Sequence, residues 1–202
     1  MQLIFLASLL AFAFWLLRSQ DQGRRIALLG SHLGEYQIEK HMETLTQGYL
    51  RALGETDVER REQIWALLRP TEQALSNQFE RFAAGFAKVQ APQARISRLP
   101  FDLPLVARLL PAATFDLRQA LAIHASGIGN AVQGQGEASA RSKAYTLSAE
   151  MFLMQHTCHW YCKSRTVASA RMLARHQTSY RQLIAAVTPA TRASYCSLLG
   201  RD

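Results

Sequence analysis

The chain has 202 residues, about half of them apolar, and 23 Lys and Arg against 15 Asp and Glu give it a net charge of +8. That composition excludes a disordered tail, because a chain this apolar can bury enough surface to form a core. Beyond an N-terminal apolar segment about 185 residues remain, the size of one compact domain.

The N-terminal segment comes first in chain order. Leu3 to Leu17 is apolar apart from Ser8, and Arg18, Arg24 and Arg25 follow it. As a helix it would be roughly 22 Å long, against a hydrocarbon core about 30 Å thick, and it reads as one membrane anchor over residues 1–18. Ala11-Phe12-Ala13 has the small-x-small form of a signal cleavage site. However, no Lys or Arg precedes the apolar run, and cutting there would leave Phe14 to Leu17 as a bare hydrophobic end. The expectation is an uncleaved anchor. Its cationic C-terminal flank orients it N-out, with the domain in the cytoplasm at the inner membrane of a bacterial cell. Trp15, Arg18, Arg24 and Arg25 are the expected interface residues, since an amphipathic ring suits the headgroup level and long cations snorkel outward. Three cysteines, Cys158, Cys162 and Cys196, are an odd set in a chain too large to need a disulfide framework, so reduced thiols fit that location.

Residues 19–30 form a basic juxtamembrane segment, and 31–202 read as a helical domain. Within it, 31–89 is acidic at −2, 90–113 is a Pro-rich connection, and 114–202 is basic, with +6 concentrated in 137–202. The two charged parts are expected to pack on each other, or one of them to face a partner.

Almost every segment after the anchor has helical spacing, which predicts an all-α bundle of about six helices. His32 to Leu53 places Leu33, Tyr36, His41 or Met42, Leu45, Tyr49 and Leu53 on one stripe, with Gly54 as its stop, and this helix is continuous with the anchor through Arg25–Leu29 unless Gly30 and Gly34 break it. Glu35, Glu39 and Glu43 share an exposed face. Thr56-Asp57-Val58-Glu59 predicts a capping box opening a helix that Pro70 must end or kink near Arg69. A further helix from Thr71 carries Phe79, Phe82 and Phe86, whose spacing marks core rather than a cofactor pocket. Leu103 to Leu110 predicts a short helix within the Pro-rich connection. Thr114 predicts the cap of a helix reaching about Val132, with Asp116 in its first turn. Gly134 to Ser139 is a loop without a phosphate-binding signature. Lys143 to Val187 predicts one long C-terminal helix, with breaks near Ser164–Thr166 or Gln177–Ser179 as the alternative. Thr188-Pro189 starts a last short helix that Gly200 ends.

One constellation has chemistry in it. His156, Cys158, His159 and Cys162 lie within seven residues and are the candidate metal or haem ligands, with His124 or His176 to complete a set. Four positions spread round one helix cannot converge on a tetrahedral ion unaided, and no CxxC or CxxCH spacing is present. The competing reading places Cys158 in the core as a small hydrophobe. Cys162 with His159 would make a nucleophile pair, but no orienting third residue can be named.

No catalytic signature is legible. The leading expectation is a membrane-anchored, non-enzymatic adaptor or accessory subunit whose helical domain binds a protein partner or a second copy of itself. Its basic surface, Lys163, Arg165, Arg171, Arg175 and Arg181, is expected to face anionic headgroups or an acidic partner. Nucleic acid fits less well, because no helix-turn-helix, zinc-finger spacing or RNP-like aromatic cluster is present. The alternatives are a metal- or haem-binding helical protein and a small membrane-bound enzyme.

Overall fold

The computed structural model describes residues 1–102, 104, 109–134, 136 and 139–200. The fold is an all-α bundle. Its helices are α1 (Gln2–Leu33), α2 (Ile38–Gly54), α3 (Val58–Phe86), α4 (Leu117–Val132), α5 (Ala140–Cys162), α6 (Arg165–His176), α7 (Tyr180–Ala186) and α8 (Pro189–Leu198). A two-stranded antiparallel ladder, β1 (Arg95–Ser97) and β2 (Thr114–Asp116), pairs Arg95 with Asp116, Ile96 with Phe115 and Ser97 with Thr114.

The core is built around α5. Leu147, Met151, Leu153, Met154, Trp160 and Tyr161 are buried on several of its faces, and α4, α6 and α7 pack around it. A helix apolar on one stripe alone would leave sides in water, so this spread of buried positions is what a central helix requires. The stripe of Phe79, Phe82 and Phe86 is core: Phe86 meets the rings of His32 and Tyr161, and Phe82 meets Tyr36. Among the described residues one ion pair joins the acidic and basic parts: Glu72, buried and accepting from the Tyr49 hydroxyl at 2.7 Å, pairs with Lys143.

Several local expectations are corrected. His32 and Leu33 belong to α1 rather than to the second helix; α1 runs through Arg25–Leu29 and Gly30 without a break, the continuity the sequence allows, and the first two helices divide at Gly34–Gln37. α3 also continues past Pro70. That residue and Ala66 four positions earlier lie on the exposed face, so the carbonyl that the missing amide leaves free is on the solvent side of the helix. Asp57 rather than Thr56 caps α3, its carboxylate accepting from the Arg60 amide at 2.8 Å. Thr114 lies in a strand, and Asp116 is the cap of α4. The long C-terminal helix is cut at both of the places where the sequence offers breaks. Ser164 takes extended backbone and caps α6, Gln177 adopts a left-handed φ of 51°, and Ser179 with Gln182 forms a capping box for α7. Thr188 and Pro189 open α8 as read from the sequence. The Leu103–Leu110 helix falls largely on 103 and 105–108, and the Gly134–Ser139 loop partly on 135, 137 and 138, all outside the described residues.

Candidate membrane-facing site

The first half of α1 has no protein around it. Every described side chain from Met1 to Leu17 is exposed, including Phe5, Leu10, Phe12 and Trp15, and Phe12 stacks on Trp15 at 6.0 Å between centroids. Among the described residues, α1 is the one helix long and apolar enough to cross a membrane, over Ile4–Leu33. The ten Leu, Ile and Phe residues in this run would each contribute about 0.3 to 0.6 kcal/mol to insertion, about 3 to 6 kcal/mol together.

The second half of α1 is docked. Its amphipathic turns place Gln22 and Leu29 inward, and the grip centres on Asp102, whose side chain is 1% exposed. Gln22 Nε2 donates to Asp102 Oδ2 at 2.7 Å, Arg25 Nη1 to Oδ1 at 3.2 Å, and Arg18 Nε lies 3.7 Å from Oδ2. Arg25 also pairs with Asp21 and reaches the Tyr161 carbonyl at 3.4 Å, while Lys163 Nζ donates to Gln22 Oε1 at 2.7 Å. Buried charges are held by paired charges and hydrogen bonds, and this set ties α1, the 99–102 segment and the end of α5 together.

Of the expected interface residues, Trp15 and Arg24 are exposed, whereas Arg18 and Arg25 turn to Asp102. Of the basic surface, Lys163 joins the same cluster and Arg165 lies 5.6 Å over the Trp160 ring. Arg171, Arg175 and Arg181 are exposed. No described carboxylate lies within salt-bridge distance of these three.

The four candidate metal ligands lie along the end of α5 in different surroundings. His156 is fully buried, its Nε2 3.0 Å from Ser169 Oγ and its ring stacked on Tyr180 at 4.5 Å. Cys158 is buried with Sγ 3.9 Å from Met154 Sδ, and burial pushes its thiol up to about 12. His159 is held down to about 4, first by burial and then by Arg171 and Arg175. Cys162 is half-buried among Arg171, Arg25 and Lys163, and burial raises its thiol. Among the described residues no three His, Cys, Asp or Glu side chains are grouped to hold a metal ion, and all three cysteines are free. His176 stacks on Phe152 at 3.9 Å, lies 3.0 Å from Gln155 Oε1 at its Nε2, and is near enough to His159 to disfavour charge there.

His124 instead enters a buried polar core. Its Nε2 lies 2.9 Å from Thr157 Oγ1, which is 2.8 Å from the Tyr195 hydroxyl. Beside it Glu150, fully buried, accepts at Oε1 from the Thr188 amide at 3.0 Å and hydroxyl at 3.1 Å, and burial raises its carboxyl. α4 approaches this carboxylate only because residue 127 is Gly: a Cβ there would lie 2.4 Å from Glu150 Oε2 and 2.4 Å from Thr191 Oγ1. Gly→Ala in an open helix gains about 1 kcal/mol. At this position overpacking reverses the sign, and Gly127→Ala is expected to lose about 1–3 kcal/mol in urea unfolding. Gly129→Ala, whose Cβ would meet only Ser76 Oγ at 3.7 Å, is the neutral or stabilising control.

Asp102, Gln22 and Glu150 escape the sequence reading. The available signal is a lone carboxylate in the otherwise apolar run from Leu99 to Leu105, which needs a partner wherever the run is buried. Fold and site together define an all-α protein with one N-terminal helix suited to crossing a membrane. No protein-family model, curated protein or solved structure matches the chain.

Proposed function

We propose that the protein is a single-pass, membrane-anchored adaptor or accessory subunit, oriented N-out, whose helical domain binds a partner protein at the cytoplasmic face of the inner membrane. The observation that carries this reading is α1 itself, one uninterrupted helix with an apolar half free of protein contacts and a second half clamped into the bundle through Asp102. Such a rod holds the domain at a fixed distance and angle from the bilayer. The outward face of α6, with Arg171, Leu173 and Arg175 exposed, suits an acidic partner surface.

Crosslinking in intact membranes followed by capture of the full chain tests the reading. A specific protein is expected in the crosslinked fraction, in reduced amount after Arg171→Glu with Arg175→Glu; recovery of lipid alone would overturn it. A reporter fused after Asp202 is expected to be active in the cytoplasm, and activity confined to the periplasm would reverse the orientation.

A further inference from the structure

The apolar run of α1 is short for its task, and the fold determines what meets the bilayer where the run ends. Leu3 to Leu17 spans roughly 22 Å against a hydrocarbon core of about 30 Å, a deficit of about 8 Å. α1 has no break before Gly34, so no hinge between anchor and domain can take up the difference. Hydrophobic mismatch of this sign draws the flanking residues toward the bilayer, and the flanking residues here are locked to the domain.

Asp102 grips α1 at Arg18, Gln22 and Arg25. The centre of that grip is about five residues past Leu17, roughly 7 Å along the axis. A headgroup layer is about 5–8 Å deep on each side of the core. With Leu17 at the hydrocarbon edge, the Pro100–Asp102 segment therefore lies at headgroup level.

Phe101 sits in that segment and is 56% exposed. The backbone on both sides of it is held: the Pro100 carbonyl accepts from the Thr166 amide at 3.1 Å and hydroxyl at 2.6 Å, and Asp102 is fixed to α1. A large aromatic ring is thus presented outward from an edge built on ion pairs, less than two turns of α1 below the exposed Trp15.

We propose that the bilayer crossed by α1 also takes up Phe101, so that the Pro100–Asp102 edge of the domain rests in the interfacial layer and the domain has two contacts with lipid. This rests on the anchor reading and adds a second, independently testable contact. It fixes the domain's tilt and its rotation about α1, which a single helix crossing does not.

The test uses the full chain in vesicles of phosphatidylcholine and phosphatidylglycerol, with an environment-sensitive fluorescent amino acid at position 12, 101 or 67 and acyl chains brominated near the headgroup. Position 67 is the remote control, being exposed on α3. Quenching at 101 is expected to approach that at 12 and to exceed that at 67 several-fold. Quenching at 12 with position 101 behaving like 67 would overturn the second contact and leave the anchor standing. A blue-shifted but unquenched probe at 101 would also overturn it, showing protein there instead of lipid. No quenching at 12 would remove the anchor reading, and this inference with it.

Discussion

Moving the protein from pH 7.5 to pH 5 is expected to lower its unfolding free energy by up to about 4 kcal/mol, read as a falling urea midpoint. His124 and His156 carry the effect. Burial holds each down to about 3 from an ordinary 6.5, and His156 further disfavours charge on His124. Both are neutral in the fold, whereas the unfolded chain takes up protons below 6.5. The unfolded state therefore binds more protons between about 3 and 6.5, so stability is complete above that window and is lost as pH falls through it. At pH 5 each histidine forfeits about 2 kcal/mol. His159 and His176, held low by burial and neighbouring arginines, act in the same direction with less weight because both are partly exposed. Glu150 opposes them. Burial raises its carboxyl, so the folded state holds its proton more tightly and gains stability as pH falls. His156→Gln should remove about half of the acid slope; an unchanged slope would show that this ring is protonated in the fold.

The polar core behind that slope was the least legible part of the sequence. Helical spacing correctly marked Met42, Leu45 and Tyr49 and the Phe79–Phe86 stripe as core, because burial of one face imposes a period that survives in sequence. It gave no sign that His124, Thr157 and Tyr195, from three helices, meet, since such contacts depend on how helices cross. Local chemistry misled where tertiary context decides. Pro70 stops an isolated helix, but here the residues to either side are packed, with Leu68 and Leu75 buried. Thr114 is a good cap, but its three-residue strand is too short for alternation to be visible and depends on Arg95–Ser97, nearly twenty residues earlier. The segment from Lys143 to Val187 is helical, but Ser164, Gln177 and Ser179 interrupt it twice, at the two places the sequence offers for breaks, and its first part, α5, is buried on several faces rather than along one stripe.

The candidate membrane-facing site divides in the same way. The apolar run and its flanking cations are legible from composition, because length and hydrophobicity are carried by a single segment and need no tertiary context. The direction in which those cations point is not. Arg18 and Arg25 read as snorkelling residues until Asp102, nearly eighty residues away, is placed beside them.

Asp102→Ala is accordingly expected to be among the most damaging single substitutions in the chain. Removing one member of a buried charge cluster costs about 3–5 kcal/mol, since the remaining charges are left desolvated. Asp102 is 1% and Arg25 12% exposed at the side chain, placing this pair in that regime, while Arg18 at 38% contributes little. The loss is expected at about 3 kcal/mol in detergent-solubilised protein, accompanied by faster amide exchange over residues 18–25 as the second half of α1 loosens. Asp102→Leu combined with Arg25→Met should recover part of the stability, because it removes both charges of the buried pair, while Gln22 still loses its acceptor and the half-exposed Arg18 and Asp21 turn to solvent. Such a double variant would keep α1 docked, separating the need for a rigid joint from any need for charge at the headgroup level. A loss below about 1 kcal/mol in Asp102→Ala would place the cluster with solvent-screened surface pairs, and α1 would then be tethered to the domain rather than built into it.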